Sequence, residues 1–127
     1  MFTPDPQLVG KRVLIVEDES LVAMLIEGLL EECECSIIGP CNTFEKALEL
    51  ARTETFDLAV LDVNLRGKMV YPVAELLSER QIPFLFLSGY GDGAIPPGHD
   101  AWRVCAKPFK GDDLVKMMSA ALLAEMH

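Results

Sequence analysis

Short apolar runs alternate along this chain with stretches in which apolar residues recur at helical spacing. "RVLIVE", Arg12 to Glu17, is rich in β-branched residues and predicts a strand. From about Ser20 to Glu32 two sets, Leu21, Met24, Leu25, Leu29 and Val22, Ile26, Leu30, predict a helix. "CSIIGP" reads as a second strand, ended by Gly39 and Pro40. Thr43 suits the N-cap of a helix running through Leu48 and Ala51, although Lys46 stands where a capping box favours an acid. The continuous apolar run in "FDLAVLD", Phe56 to Asp62, predicts a strand buried on both faces. Pro72 fits the first turn of a helix carrying Val73, Leu76 and Leu77. "PFLFL" predicts a fourth strand and "RVCA" a short fifth. Asp112 or Asp113 then opens a last helix with Leu114, Val115, Met118, Ala121 and Leu122 on one side.

Strands that alternate with helices imply an α/β fold, a parallel sheet covered on both faces by right-handed crossovers. In such sheets ligands bind beyond the carboxyl ends of the strands. Those ends carry Glu17, Asp18 and Glu19 after strand one, Asp62 after strand three, Ser88 after strand four and Lys107 after strand five. Any one of them serves equally well as a turn or cap, Asp62 included. Together they put several acids, a hydroxyl and a cation on one rim. Crowded carboxylates repel unless a cation offsets them, and a hard oxygen-seeking ion such as Mg²⁺ does so. With Lys107 and Ser88 beside it, a carboxylate at a strand end suits a nucleophile for a phosphoryl group.

Composition narrows the classes. A chain of 127 residues, half of them hydrophobic, makes one globular domain. Residues 1–10 read as a flexible N-terminal tail before a domain spanning 11–127. The net charge of −9 argues against nucleic acid, whose phosphates need clustered cations. No apolar run approaches the roughly 20 residues of a membrane helix, and "MFTPDPQLVG" lacks the regions of a signal peptide, so a cytoplasmic location is expected. Cys33, Cys35, Cys41 and Cys105 do not show zinc-site spacing, and Cys105 lies in an apolar strand-like segment. His99 and His127 suggest no catalytic pair.

"VLIVEDE", "LAVLDVNL", "FLSG" and "AKPF", in this order, resemble the receiver domain of bacterial two-component response regulators, over about Lys11 to Met126. The resemblance implies a (βα)5 flavodoxin-like, doubly wound sheet of strand order 2-1-3-4-5. It implies Asp62 as phospho-acceptor and Asp18 as the main metal carboxylate. Glu17 would act through a water, Asn64 through its backbone carbonyl, Ser88 as the switch hydroxyl and Lys107 as the site cation, with a cis Lys107–Pro108 peptide. The cofactor implied is Mg²⁺, with Mn²⁺ as an alternative. "NLRGKMVYPVAELL" and "IPFLFLSGYG" further resemble a subgroup marked by Pro-Phe-x-Phe-Ala-Thr-Gly-Tyr, although Leu87 and Ser88 replace its Ala and Thr. Such receivers often stand alone and pair with histidine kinases of the HWE or related classes. The implied partners are therefore such a kinase or a phosphotransfer protein, and a downstream protein. The implied role is signalling by protein contacts, relay or phosphate sink, with no nucleic acid and no membrane.

Val104 stands where ordinary receivers carry an aromatic switch residue. Tyr90 or Trp102 can replace it, or Trp102 simply packs. "SGYGDGAIPPGHDA" should hold a fourth helix, yet each interior Gly costs roughly 1 kcal/mol and each Pro about 3, so helix four is expected to be short or replaced by a mobile loop. Two rivals stand beside the phosphorelay reading. A receiver-like binding module would never be phosphorylated, although such domains usually lack one of Asp18, Asp62 or Lys107. A small phosphatase with an Asp nucleophile needs a second acid two residues on, where Asn64 stands.

Overall fold

The computed structural model describes residues 5–89, 95–99 and 101–125. In chain order its elements are β1 (Arg12–Val16), α1 (Ser20–Glu32), β2 (Ser36–Cys41), α2 (Phe44–Thr53), β3 (Leu58–Asp62), β4 (Asn64–Leu65), β5 (Lys68–Met69), α3 (Tyr71–Glu79), β6 (Phe84–Ser88), β7 (Val104–Ala106) and α4 (Gly111–Glu125). Five strands form one sheet in the order β2-β1-β3-β6-β7, with every neighbouring pair parallel. Counted within that sheet, this is the expected 2-1-3-4-5 order, and the fold is α/β, flavodoxin-like, with four α-helices among the described residues.

Alternation along each strand builds two cores. Leu14 and Val16 of β1, Ala59 and Leu61 of β3 and Phe86 of β6 face α2 and α3. Their neighbours Val13, Ile15, Leu58, Val60, Leu85 and Leu87 face α1 and α4. All five residues of both β3 and β6 are buried, as continuous apolar runs in a two-sided sheet require. Thr43 caps α2 by accepting the Lys46 N–H at 3.2 Å. Thr43→Ala should cost about 1 kcal/mol, read as a lower urea midpoint with unchanged slope.

Two expectations are corrected. The stretch read as tail is docked from Asp5 onward: Pro6–Leu8 forms a 3-10 turn and Leu8 is fully buried against the α1/α4 side. Asp5 Oδ2 accepts the Ser119 hydroxyl of α4 at 2.6 Å, and Gly10 N–H donates to Glu34 O. Residues 1–4 lie outside the described residues. The last helix begins at Gly111, so Asp112 and Asp113 sit in its first turn, where carboxylates complement the helix dipole. On α1, Ala23, Ile26, Leu29 and Leu30 are buried, but Leu21, Met24 and Leu25 are 81, 65 and 54 % exposed. Among the described residues between Ser88 and Val104 none is helical, and residues 90–94 and 100, on which the rest of the loop expectation falls, lie outside them.

One glycine shapes the approach to the acidic rim. Gly39 has φ +92°, and a Cβ there would meet Cys41 N at 2.7 Å and Ile15 O at 2.9 Å. Only glycine fits so close a passage between strands. The β1–β2 register shifts at this point, and Glu17 N–H donates to Cys41 O at 3.0 Å, which holds the end of β1 against β2. The Gly39–Pro40 and Lys107–Pro108 peptides are both cis, the second as expected.

Candidate functional site

The carboxyl ends of β1, β3 and β6 and the turn after β7 bring the rim residues together. Glu17 and Asp62 are 2 and 6 % exposed and Ser88 is 3 % exposed, while Asp18 is half-buried and Glu19 exposed. Carboxylate oxygens of Glu17, Asp18, Glu19 and Asp62 all lie within 4.8 Å of one another. Lys107 Nζ reaches into this group, donating to Glu17 at 2.9 and 3.3 Å and to Glu19 at 3.1 Å, and standing 3.5 Å from Asp62 Oδ1. An open cleft of about 500 Å³ lies above, lined by Asp18, Asp62, Asn64, Arg66, Ser88 and Lys107 among others.

Backbone geometry beside the cleft fixes Asp18. After Asp62 the chain turns back in a two-residue antiparallel ribbon, β4 against β5. Asn64 Oδ1 accepts the Gly67 N–H at 2.7 Å, so its side chain is committed to the turn. Arg66 has φ +52° and Gly67 φ +92°, which aims the Arg66 N–H at Asp18 Oδ2, 2.9 Å away. Motif reading found every acid here, including Glu19 as a neighbour, but not the anchoring by Arg66. Its only signal was the Asn-x-x-Gly spacing of a tight turn.

The electrostatics follow from burial. Desolvation pushes the Glu17 carboxyl up to about 8, against the pull of its hydrogen bond from Lys107. Burial also raises Asp62, opposed by its hydrogen bond with Glu17 and by the Lys107 charge. Burial alone would lower Lys107, but the Glu17 hydrogen bond and the Asp62 charge override it and raise the ammonium. The cluster is therefore short of positive charge. Its donors are all hard oxygens in close reach, the set that suits Mg²⁺ rather than a thiophilic ion.

At the neighbouring sheet edge Trp102 packs. Its ring lies edge-on to Phe84 and Phe86 at 5.5 Å each and stacks on His99 at 3.7 Å. Tyr90, the other expected replacement for the aromatic switch, lies outside the described residues. Cys33, Cys41 and Cys105 are buried, Cys35 is half-buried, and all four thiols are free.

Residues 13–119 match the family model described as the response regulator receiver domain. The chain belongs to that family. As a receiver it is a signalling phospho-acceptor of two-component systems rather than an enzyme, and receivers take their phosphoryl groups from histidine kinases. The solution structure of SdrG from Sphingomonas melonis Fr1 is 41 % identical, covers 90 % of this chain and 97 % of its own, and superposes with a TM-score of 0.78. PhyR from Brucella abortus, a response regulator, is 28 % identical, with a TM-score of 0.81 over 94 % of this chain and 50 % of its own. PdtaR of Mycobacterium tuberculosis, a transcriptional regulatory protein, is 30 % identical over 90 % of this chain. The receiver spans 58 % of the length of PdtaR. A Pseudomonas aeruginosa receiver, PA1611REC, which carries a magnesium ion in its active-site cleft, shares the fold at 21 % identity and a TM-score of 0.77. Among the described residues no helix is long and apolar enough to cross a membrane.

Proposed function

We propose that this receiver accepts one phosphoryl group on Asp62 and signals through it. The observation that carries the reading is Asp62 itself, at the end of a fully buried strand, 3.5 Å from Lys107 and inside the carboxylate cluster. An oxygen of Asp62 attacks the phosphorus of a phosphohistidine. The P–N bond breaks, the imidazole leaves with the electron pair and takes up a proton, and an acyl phosphate remains. Lys107 contacts the oxygens of the acceptor, and Ser88, on the same cleft, offers its hydroxyl to a phosphoryl oxygen. Asp18, Asp62, the Asn64 carbonyl and, through water, Glu17 would hold Mg²⁺ or Mn²⁺. When bound, that ion offsets the charge of the transferring phosphoryl oxygens.

The donor in this reading is a histidine kinase, of HWE type by the subgroup motif, or a phosphotransfer protein. SdrG, for which a BeF3-activated conformation is known at 39 % identity, supports activation at the acceptor aspartate. Likeness to SdrG and to the PhyR stress response regulator, 25 % identical, points to a stress-signalling context. In this reading the receiver acts in the cytoplasm by protein contacts, as relay or as sink, through the domain read as residues 11–127 and extended here to the docked segment from Asp5.

Intact-mass measurement with acetyl phosphate and Mg²⁺ tests the proposal: the wild type should gain one labile phosphoryl group, and EDTA should prevent it. Asp18→Ala should slow labelling at least about tenfold at fixed Mg²⁺, with partial recovery as Mg²⁺ is raised. A wild type that never gains the group in Mg²⁺ would return the domain to a binding-only module.

A further inference from the structure

We propose that the Arg66 guanidinium is a second cation of the phosphoryl-transfer site, recruiting the incoming phosphodonor. This rests on the reading of Asp62 as acceptor. The cleft is lined by three carboxylates, Asp18, Glu19 and Asp62, with Glu17 buried beneath, and by two cations, Lys107 and Arg66. Lys107 is already engaged by Glu17, Glu19 and Asp62. Arg66 is exposed, and among the described residues its side chain makes no hydrogen bond or ion pair. It lines both this cleft and a smaller one of about 230 Å³ beside Asp18, Ser20, Met24, Glu27 and Asn42. An arginine between two acid-lined clefts that pairs with neither holds its fork of donors open for an anion from outside.

The backbone is anchored while the Arg66 side chain stays exposed on the cleft lining. Arg66 sits at φ +52° in the turn between β4 and β5, and its own N–H is tied to Asp18 Oδ2. The main chain thus serves the metal carboxylate while the side chain remains available. A phosphodonor arriving with about two negative charges meets repulsion from the carboxylates even with a divalent ion in place. A free guanidinium at the mouth lowers that barrier to encounter without contacting the acceptor.

Arg66→Ala keeps the backbone N–H, and with it the Asp18 anchor, so the two roles separate experimentally. With acetyl phosphate and saturating Mg²⁺, the second-order rate constant of Asp62 phosphorylation should fall about five- to tenfold. Arg66→Lys should restore most of it, and the wild-type rate should fall more steeply with added KCl than that of Arg66→Ala. Mg²⁺ affinity measured by calorimetry should stay within about twofold of wild type, since no metal ligand has changed. An unchanged rate in Arg66→Ala overturns the assignment, and so does a slower rate that tracks an equal loss of Mg²⁺ affinity. A wild type that takes up no phosphoryl group overturns the Asp62 reading and this one together, whereas a labelled wild type with an indifferent Arg66→Ala overturns this one alone.

Discussion

Asp62→Asn protein should gain no phosphoryl mass from acetyl phosphate and Mg²⁺ under conditions that label the wild type fully. The amide oxygen carries no negative charge and is a poor nucleophile, so the drop should exceed about a hundredfold. The same substitution should not unfold the protein. The Asp62 carboxyl is raised by burial and by repulsion from Asp18, so a neutral amide of the same shape relieves a cost. Far-ultraviolet circular dichroism and a urea midpoint at or above the wild-type value would show that chemistry, not folding, was lost. Undiminished labelling of Asp62→Asn would place the acceptor elsewhere.

Without Mg²⁺, the unfolding free energy should fall as pH rises from about 5 to above 8. Glu17 has its folded value raised from 4.5 to about 8, and Asp62 shifts the same way. Groups raised on folding bind more protons in the native state. Their stability contribution is present below the unfolded value and is lost as pH passes the folded one. Lys107, also raised, keeps its contribution across this window, because its own loss comes only above 10.5. The fall should be on the order of 2 kcal/mol or more, given a Glu17 side chain with no exposed surface. Glu17→Gln should flatten the dependence, and so should millimolar Mg²⁺, by stabilising the ionised cluster. Urea titrations at three pH values, with and without Mg²⁺, decide it. A stability that rises with pH over this window would contradict the burial-driven shift of Glu17.

The sheet was legible because β3 and β6 are runs of buried residues too short for helices and too apolar for loops. The acidic rim followed from knowing where such strands end. Other parts hide from periodicity. Two-residue strands such as β4 and β5 have no period to detect, so the ribbon that anchors Asp18 was missed. Leu8 and Val9 are two adjacent apolar residues in a stretch of prolines and polar residues, and only packing against the α1/α4 side decides that Leu8 is buried while Val9 stays exposed. On α1 both apolar sets have helical spacing, so the sequence pattern leaves open which side faces inward. Packing against β1 and β2 buries Ile26 and Leu30 and leaves Leu21 in water. Glu17 was visible as an acid, but its total burial depends on the tight β1–β2 passage at Gly39 and on Lys107, 90 residues away.

Trp102 is the one tryptophan of the chain, stacked on His99 and wedged edge-on against two phenylalanines. Excited selectively at its red edge, beyond tyrosine absorption, the protein therefore carries a single indole fluorophore at a single address, the outer edge of the sheet where the chain enters β7. Emission changes on adding a phosphodonor report that corner alone and say nothing of the distant α1 or α2 surfaces. An imidazole in face contact is also a natural quencher, so brightness there reads the separation of two rings, an optical ruler that needs no attached dye.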